Sequence, residues 1–178
     1  MPRTNFYARK NVQVTFQPNI GLDATARQSV VEMLNLLLAD EAVLSLKMHR
    51  ADGHAGGVDV AELKPIYDAQ YKQIKSISND IVERVQILGG FPLRSSKELI
   101  DSTRLDGNLT LVPGLISILA DHEAFIRFLR EDVRKCSEEY EDEGTSELLV
   151  SVMLLHEKMA WLLRSHIKPD VILGASQA

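Results

Sequence analysis

Four long stretches of this chain repeat apolar residues at the spacing of an α-helix, and only short breaks separate them. They run from about Ala24 to Arg50, from about 60 to 88, from about 113 to 139 and from about 145 to 166. Within each stretch the apolar positions recur every three or four residues, which places them on one helix face. Four helices of this length with short connections are typical of an all-α four-helix bundle, in which the apolar faces meet in one core.

Glycine and proline mark the breaks. The segment 51–57 is rich in glycine, and Gly89-Gly90-Phe91-Pro92 ends the second stretch in the way that helices commonly end. Ser95 and Glu98 have the spacing of a capping box, which predicts a short extra helix to about Ser102. No linker is long enough to separate two cores. We therefore expect one bundle domain over residues 21–168, with tails at 1–20 and 169–178.

Composition indicates the cellular compartment in which the protein is expected. The 178 residues carry a formal net charge of −5, and the single Cys136 cannot form an intramolecular disulfide. Residues 1–20 lack the apolar segment of a signal peptide, and no apolar run reaches the length of a membrane span. These features predict a cytoplasmic protein with no membrane partner.

Overall acidity opposes binding to nucleic acid, because phosphates and the protein surface repel each other. The candidate DNA contacts are Arg3, Arg9 and Lys10 in the first tail. Repetition over many subunits could add avidity. We expect DNA binding through these three residues to be weak.

Four motifs, taken in chain order, resemble those of the Dps family of mini-ferritins. Each motif alone is short, but together they are specific because they fall in register on helices of the right length. They are Leu34-Asn35 with Leu38-Ala39-Asp40, Glu83-Arg84 with Leu88-Gly89-Gly90, Asp121-His122-Glu123, and His156-Glu157-Lys158 with Trp161-Leu162-Leu163-Arg164-Ser165.

The resemblance implies a ferritin-like bundle with a short helix between helices 2 and 3, assembled as a shell of twelve subunits. Such a shell oxidises Fe(II) with O2 or H2O2, stores ferric mineral and protects against oxidative stress. Zinc would compete with iron. A cytoplasmic shell of this kind could also associate with the nucleoid. The family's ferroxidase centre lies between two subunits, each of which supplies part of the ligand set.

Carried over residue by residue, the family's ligand positions fall on residues of changed chemistry. Asp68 and Glu83 keep carboxylates, but Asn79 stands where the family has Asp, and Lys64 where it has His. The first-helix His falls at Asp52. A protonated lysine cannot ligate a metal, and an amide brings no charge, so the usual geometry is altered.

Replacement donors lie beside the altered positions. His49 and Asp52 are three residues apart, and His54 follows them. One interpretation is a shifted, histidine-containing iron centre of His49, Asp52 and Glu83, assisted by His54, Asn79 or Asp68. The alternative is an inactive centre in which Lys64 pairs with Asp52, Asp68 or Glu83, leaving a structural, storage or DNA-associated cage.

Other candidates have weaker support. An acidic run at 138–143 precedes the fourth helix, and the resemblance implies that Asp142 and Glu147 line cation pores at three-fold axes; a solvated charged loop is equally compatible with the run. His122 is predicted to be a polar helix residue, and His156 to pack or form hydrogen bonds, rather than to bind metal. Trp161 is predicted in the core or in an interface.

Overall fold

The computed structural model describes residues 18–51, 60–109 and 113–167, with the side chains of 60 and 61 excepted. It contains five helices and, over those residues, no strand. The helices are α1 (Ala24–Arg50), α2 (Val60–Ile87), α3 (Ser96–Ser102), α4 (Leu115–Glu138) and α5 (Glu143–Arg164). The predicted all-α architecture, with a short helix between the second and third long ones, is confirmed.

The four long helices pack as two consecutive pairs. α1 packs along α2, α4 packs along α5, and further contacts between α1 and α4 join the pairs. One continuous apolar core fills the space between them. Its largest fully buried side chains include Leu34, Leu44, Ile77, Ile118 and Phe125.

Two of the predicted helix starts were wrong by two residues. α4 begins at Leu115 rather than Pro113, because Gly114 is extended (φ −90°, ψ 171°) and acts as the N-cap. α5 begins at Glu143 rather than Thr145, because the Asp142 side chain caps the helix by accepting from the Thr145 backbone N–H. α5 also ends at Arg164, two residues before the predicted His166.

Arg104 fastens the segment after α3 to the bundle. Its Nε donates to Asp40 Oδ2 at 2.7 Å and its NH1 donates to Asp132 Oδ2 at 2.6 Å. Thr103 Oγ1 also donates to Asp40, at 2.9 Å. α3 itself begins with the predicted capping box of Ser95 and Glu98. These contacts hold α3 against α1, so that α1, α2 and α3 enclose a groove.

None of the helices in the described ranges is long and apolar enough to cross a membrane.

Candidate functional site

The predicted ligands on α2 lie on its exposed face. Asp68, Asn79 and Glu83 are all exposed, and their separations of eleven and four residues align them along one stripe of the helix. Lys64 lies one turn before Asp68, and its Nζ is 3.7 Å from Asp68 Oδ2, with 72% and 61% of the two side chains exposed. An ion pair this exposed contributes little to stability.

Two further lysines share this stripe, and the sequence reasoning missed both. Lys72 and Lys75 are exposed and lie between Asp68 and Asn79 at separations of four, three and four residues. The same periodicity that aligned the carboxylates would have found them. The stripe therefore carries three ammonium groups, two carboxylates and one amide, from Lys64 to Glu83.

His49 lies at the end of α1 beside this stripe. Its imidazole is exposed, and its ring centroid is 5.4 Å from that of Tyr71 on α2, at an interplanar angle of 38°. Both rings line the groove between α1, α2 and α3, a cavity of about 310 Å³ that Lys75 also borders. The fold thus brings the predicted imidazole to the same side of the molecule as the α2 stripe.

The remaining predicted ligands, Asp52 and His54, lie outside the described residues. In the part of the chain that the structure describes, no three His, Cys, Asp or Glu side chains converge on a common metal position. One subunit does not form a complete centre from these residues. The ligand set therefore remains a prediction.

The groove has an apolar wall that water can reach. Leu46 on α1 is 42% exposed and Ile100 on α3 is 38% exposed, and both line the cavity with Leu99. Side chains of this kind gain free energy when another surface covers them. The face that carries His49 and the α2 stripe is therefore suited to contact with another protein surface.

The two predicted pore residues lie in different environments. Glu147 is exposed on α5. Asp142 is buried, and its Oδ1 accepts from Arg84 NH2 at 2.7 Å and from the Thr145 backbone N–H at 2.9 Å. The Asp142 charge is thus compensated within its own subunit, and Glu147 is the stronger candidate for a cation path. The pore remains a prediction for both.

The bundle core holds a polar cluster of which the sequence revealed only part. His122 on α4 and His156 on α5 are both buried, as predicted for His156, and their Nδ1 atoms are 3.0 Å apart. His156 Nε2 lies 3.0 Å from Oε1 of Glu41 on α1, which sequence reasoning missed. The signal was a carboxylate within the apolar face of α1, between Leu37 and Leu44.

Burial controls the protonation of this cluster. Removal from water raises the pKa of Glu41 well above its ordinary value, and the neighbouring Asp40 raises it further. Burial lowers the pKa of His156 to about 3. Burial and the proximity of His156 likewise lower the pKa of His122. All three groups therefore favour their uncharged forms.

Trp161 is not in the core of the subunit. It is 62% exposed on α5, and Leu154, two turns earlier on the same helix, is 57% exposed. The prediction of a core position was wrong because other residues of α5 form the apolar face that packs against α4. A position in an interface remains the prediction for Trp161.

The family model of the ferritin-like domain matches residues 31–170. An uncharacterized low temperature-induced protein of Nostoc sp. (strain PCC 7120) is 34% identical over 158 residues, covering 86% of this chain and 88% of the relative. DNA protection during starvation protein 2 of Bacillus anthracis is 27% identical, covering 79% of this chain and 97% of the relative.

Solved structures agree with this assignment. DpsC from Streptomyces coelicolor superposes with a TM-score of 0.77 at 25% identity, covering 87% of this chain and 91% of that one. The DPS protein of Vibrio cholerae O1, described as a member of a broad superfamily of ferritin-like diiron-carboxylate proteins, superposes with a TM-score of 0.75 at 22% identity, covering 88% and 98%. The chain belongs to the Dps family of ferritin-like proteins. Within this Dps protein, the α2 stripe and the His49 groove are the candidate site.

Proposed function

We propose that this Dps protein oxidises Fe(II) at a centre shared by two copies of the chain and stores the ferric product inside a cage of twelve copies, protecting the cytoplasm from oxidative stress. The observation that carries the proposal is the outward-facing stripe of Asp68, Asn79 and Glu83 beside the exposed imidazole of His49. Oxygen and imidazole donors on a subunit surface suit Fe(II) and leave positions open for oxidant.

The spacing of the stripe fits an interface with two-fold symmetry. On α2, the midpoint between Asp68 and Asn79 lies between residues 73 and 74. The midpoint between Lys64 and Glu83 is at the same place. If two α2 helices pack antiparallel about that point, Asp68 of one copy faces Asn79 of the other. An isologous contact makes two identical centres, which is the common form of a homodimer interface.

The groove supports the same contact. Leu46 and Ile100 offer apolar surface beside His49, and a second copy would cover it. Covering this wall would also remove water from the centre, which strengthens the binding of a cation to carboxylates. Zinc, which takes the same imidazole and carboxylate donors, is expected to compete with iron.

The lysines of the stripe oppose metal binding. At a separation near 4 Å, an ammonium repels a unit positive charge by about 4 kcal/mol at an effective dielectric of 20. Lys64 is the most serious case, because in the antiparallel packing it faces Glu83 of the other copy. With the metal between His49 and Glu83, and with Asp52 and His54 supplying further donors, Lys64 of the other copy is the main charge that opposes its binding.

A second candidate function follows from the same lysines. Three ammonium groups along one stripe favour ion pairs across the interface in place of a metal, and Lys64 already lies near Asp68. The result would be a cage with an inactive centre, serving storage or an association with DNA and the nucleoid. The DNA contacts would be Arg3, Arg9 and Lys10, and the name of the Bacillus anthracis relative supports testing them.

Anaerobic addition of Fe(II) to the purified protein, followed by air or H2O2, separates the two functions. The proposed oxidase forms ferric product faster than buffer, and Glu83→Gln and His49→Ala each slow the reaction at least tenfold. Glu62→Gln, an exposed carboxylate on the same helix, and His166→Ala serve as matched controls with wild-type rates. Light scattering shows whether every variant still assembles.

A wild-type rate equal to that of buffer, in a protein that still assembles, would instead establish the inactive cage. A gel shift with plasmid DNA at low and physiological salt then tests the DNA-associated form. Replacing Arg3, Arg9 and Lys10 together by alanine is expected to abolish any shift.

A further inference from the structure

Three titratable side chains from three helices form one hydrogen-bonded chain in the bundle core. Glu41 Oε1 is 3.0 Å from His156 Nε2, and His156 Nδ1 is 3.0 Å from His122 Nδ1. All three residues have 0% exposure. The ring of Phe125 covers His156, with the centroids 4.5 Å apart. The chain joins α1, α5 and α4 through the interior of the bundle.

Both ends of the chain are buried without a partner among the described residues. These are Glu41 Oε2 and His122 Nε2. Because each of the two hydrogen bonds needs one proton, the number of protons fixes the charge. With three protons, Glu41 is a carboxylic acid that donates to His156, His156 donates to His122, and the chain is uncharged. With four protons it carries a positive charge, and an isolated charge in such a core is strongly unfavourable.

Among the residues that the structure describes, the neighbouring charges are already paired with one another and do not compensate an added proton. On α1, Asp40 is already paired with Arg104, which also binds Asp132. On α4, Asp121 is paired with Lys47 at 2.8 Å.

The neighbouring groups of α2 and α5 do not compensate an added proton either. The buried Tyr67 hydroxyl and the Gln70 amide of α2 are uncharged, and Gln70 Nε2 donates to the Met159 carbonyl, one turn from His156. Glu157 of α5 pairs with Arg130 at the surface.

We propose that Glu41, His156 and His122 form a proton-operated lock: at neutral pH the chain is uncharged with Glu41 as a carboxylic acid, and uptake of a further proton in acid releases α5 from α1 and α4. The device lies in the subunit core, away from the α2 stripe, and does not depend on whether iron is oxidised.

The directions of the pKa shifts determine whether acid raises or lowers the stability of the folded protein. Both histidines have folded pKa values below their ordinary 6.5, so the unfolded chain binds more protons and stability falls as the pH drops below 6.5. Glu41 has a folded pKa above its ordinary 4.5, so unfolding above pH 4.5 releases its proton. Its contribution to stability therefore falls as the pH rises above 4.5. For these three groups, with Glu41 protonated and both histidines neutral in the folded protein as the lock requires, the net uptake on unfolding is about one proton between pH 6.5 and 4.5 and about two just below 4.5.

Infrared spectroscopy of the full-length protein at pH 7 tests the protonation state directly. A buried carboxylic acid gives a C=O band, and Glu41→Gln should remove it from the difference spectrum. The amide of this variant can still donate to His156, so we expect it to unfold in urea at the wild-type midpoint or above. Absence of the band in wild-type protein would overturn the proposal, even if the variant failed to fold.

Urea unfolding between pH 7 and pH 4, at a fixed protein concentration, tests the lock itself. Between pH 6.5 and 4.5, the unfolding constant of Glu41→Gln should rise about tenfold more per pH unit than that of wild-type protein, because the variant lacks the proton that Glu41 releases on unfolding. His166→Gln, outside the core, should follow wild type.

Two results would refute the lock. One is equal slopes for wild type and Glu41→Gln. The other is a ring NMR titration of His122 or His156 near pH 6.5 in the folded protein.

Discussion

The guanidinium of Arg84 lies 2.7 Å from Oδ1 of Asp142, and this pair joins the last turns of α2 to the start of α5. Arg84 Nε also donates to Thr145 Oγ1 at 2.8 Å. A Cβ on Gly144 would be 3.1 Å from Arg84 NH2, so glycine leaves room for the close approach. Because Arg84 directly follows Glu83, the pair fixes the part of α2 that carries the candidate iron ligand.

Replacing Arg84 by methionine should destabilise the protein by about 3 kcal/mol, because the Asp142 carboxylate stays buried without its cation. The side chains are 20% and 3% exposed. Urea unfolding at pH 7 measures the effect. Lys97→Met breaks an ion pair with Asp101 whose side chains are 84% and 51% exposed, and it should leave the urea midpoint almost unchanged. Equal losses in the two variants would show that the buried pair is no more important than the surface pair.

A methyl group at Gly90 should be poorly tolerated. Its Cβ would lie 2.5 Å and 2.7 Å from the two γ-carbons of Val31 in the core. Overpacking of this kind typically costs about 1–3 kcal/mol, so Gly90→Ala should lower the thermal midpoint. Gly107→Ala, whose nearest contact would be 3.6 Å, is the matched control and should be close to neutral.

Val31→Ala removes the methyl groups that Gly90→Ala would meet. The double variant should therefore lose less stability than the sum of the two single variants. Additive losses would place the cost of Gly90→Ala elsewhere than in contact with Val31.

The helices could be predicted from the sequence because their signals are local. Ser95 with Glu98 caps α3 as expected, and Asp23 caps α1 in a similar local contact, since such contacts span only a few residues. The starts of α4 and α5 were wrong because Pro113 and Thr145 are also acceptable near a helix start. In the structure, the extended conformation of Gly114 sets the start of α4, and the capping side chain of Asp142 sets the start of α5.

The candidate site was predicted only in part because its contacts are not local. Lys72 and Lys75 are the exception, because they lie on the same helix as Asp68 and Glu83 and the helical period alone could have found them. Glu41 was missed because its partner His156 is 115 residues away. No periodicity relates two side chains that meet across a core.

Cys136 should be inert in the folded protein. It is fully buried beside Met33, with Sγ 3.6 Å from Sδ, and burial, with lesser contributions from Asp142 and Asp132, raises the pKa of its thiol to about 12. Because the thiolate is the reactive form, alkylation at pH 8 should be slowed by roughly a thousandfold or more relative to urea-unfolded protein. Mass spectrometry after timed iodoacetamide treatment checks this. Rapid labelling of folded protein would mean that α4 opens locally at Cys136.

Replacing Lys64 is the most direct test of how the departure from the family's ligand set affects Fe(II) oxidation. Lys64→His replaces an ammonium by an imidazole donor and removes a positive charge that would repel the metal. If the centre forms between two copies, Fe(II) oxidation should accelerate several-fold and zinc should inhibit it more strongly. Both can be followed by the absorbance of the ferric product.

Stability should hardly change in Lys64→His, because Lys64 is 72% exposed and its pairing with Asp68 is weak. Lys97→His, on the exposed face of α3, is the matched control and should oxidise iron at the wild-type rate. Adding Asn79→Asp to Lys64→His should raise the rate again, since a second carboxylate then faces Asp68 of the other copy. If neither variant exceeds wild type while both assemble, Lys64 does not limit iron oxidation, and the placement of the metal beside it is wrong.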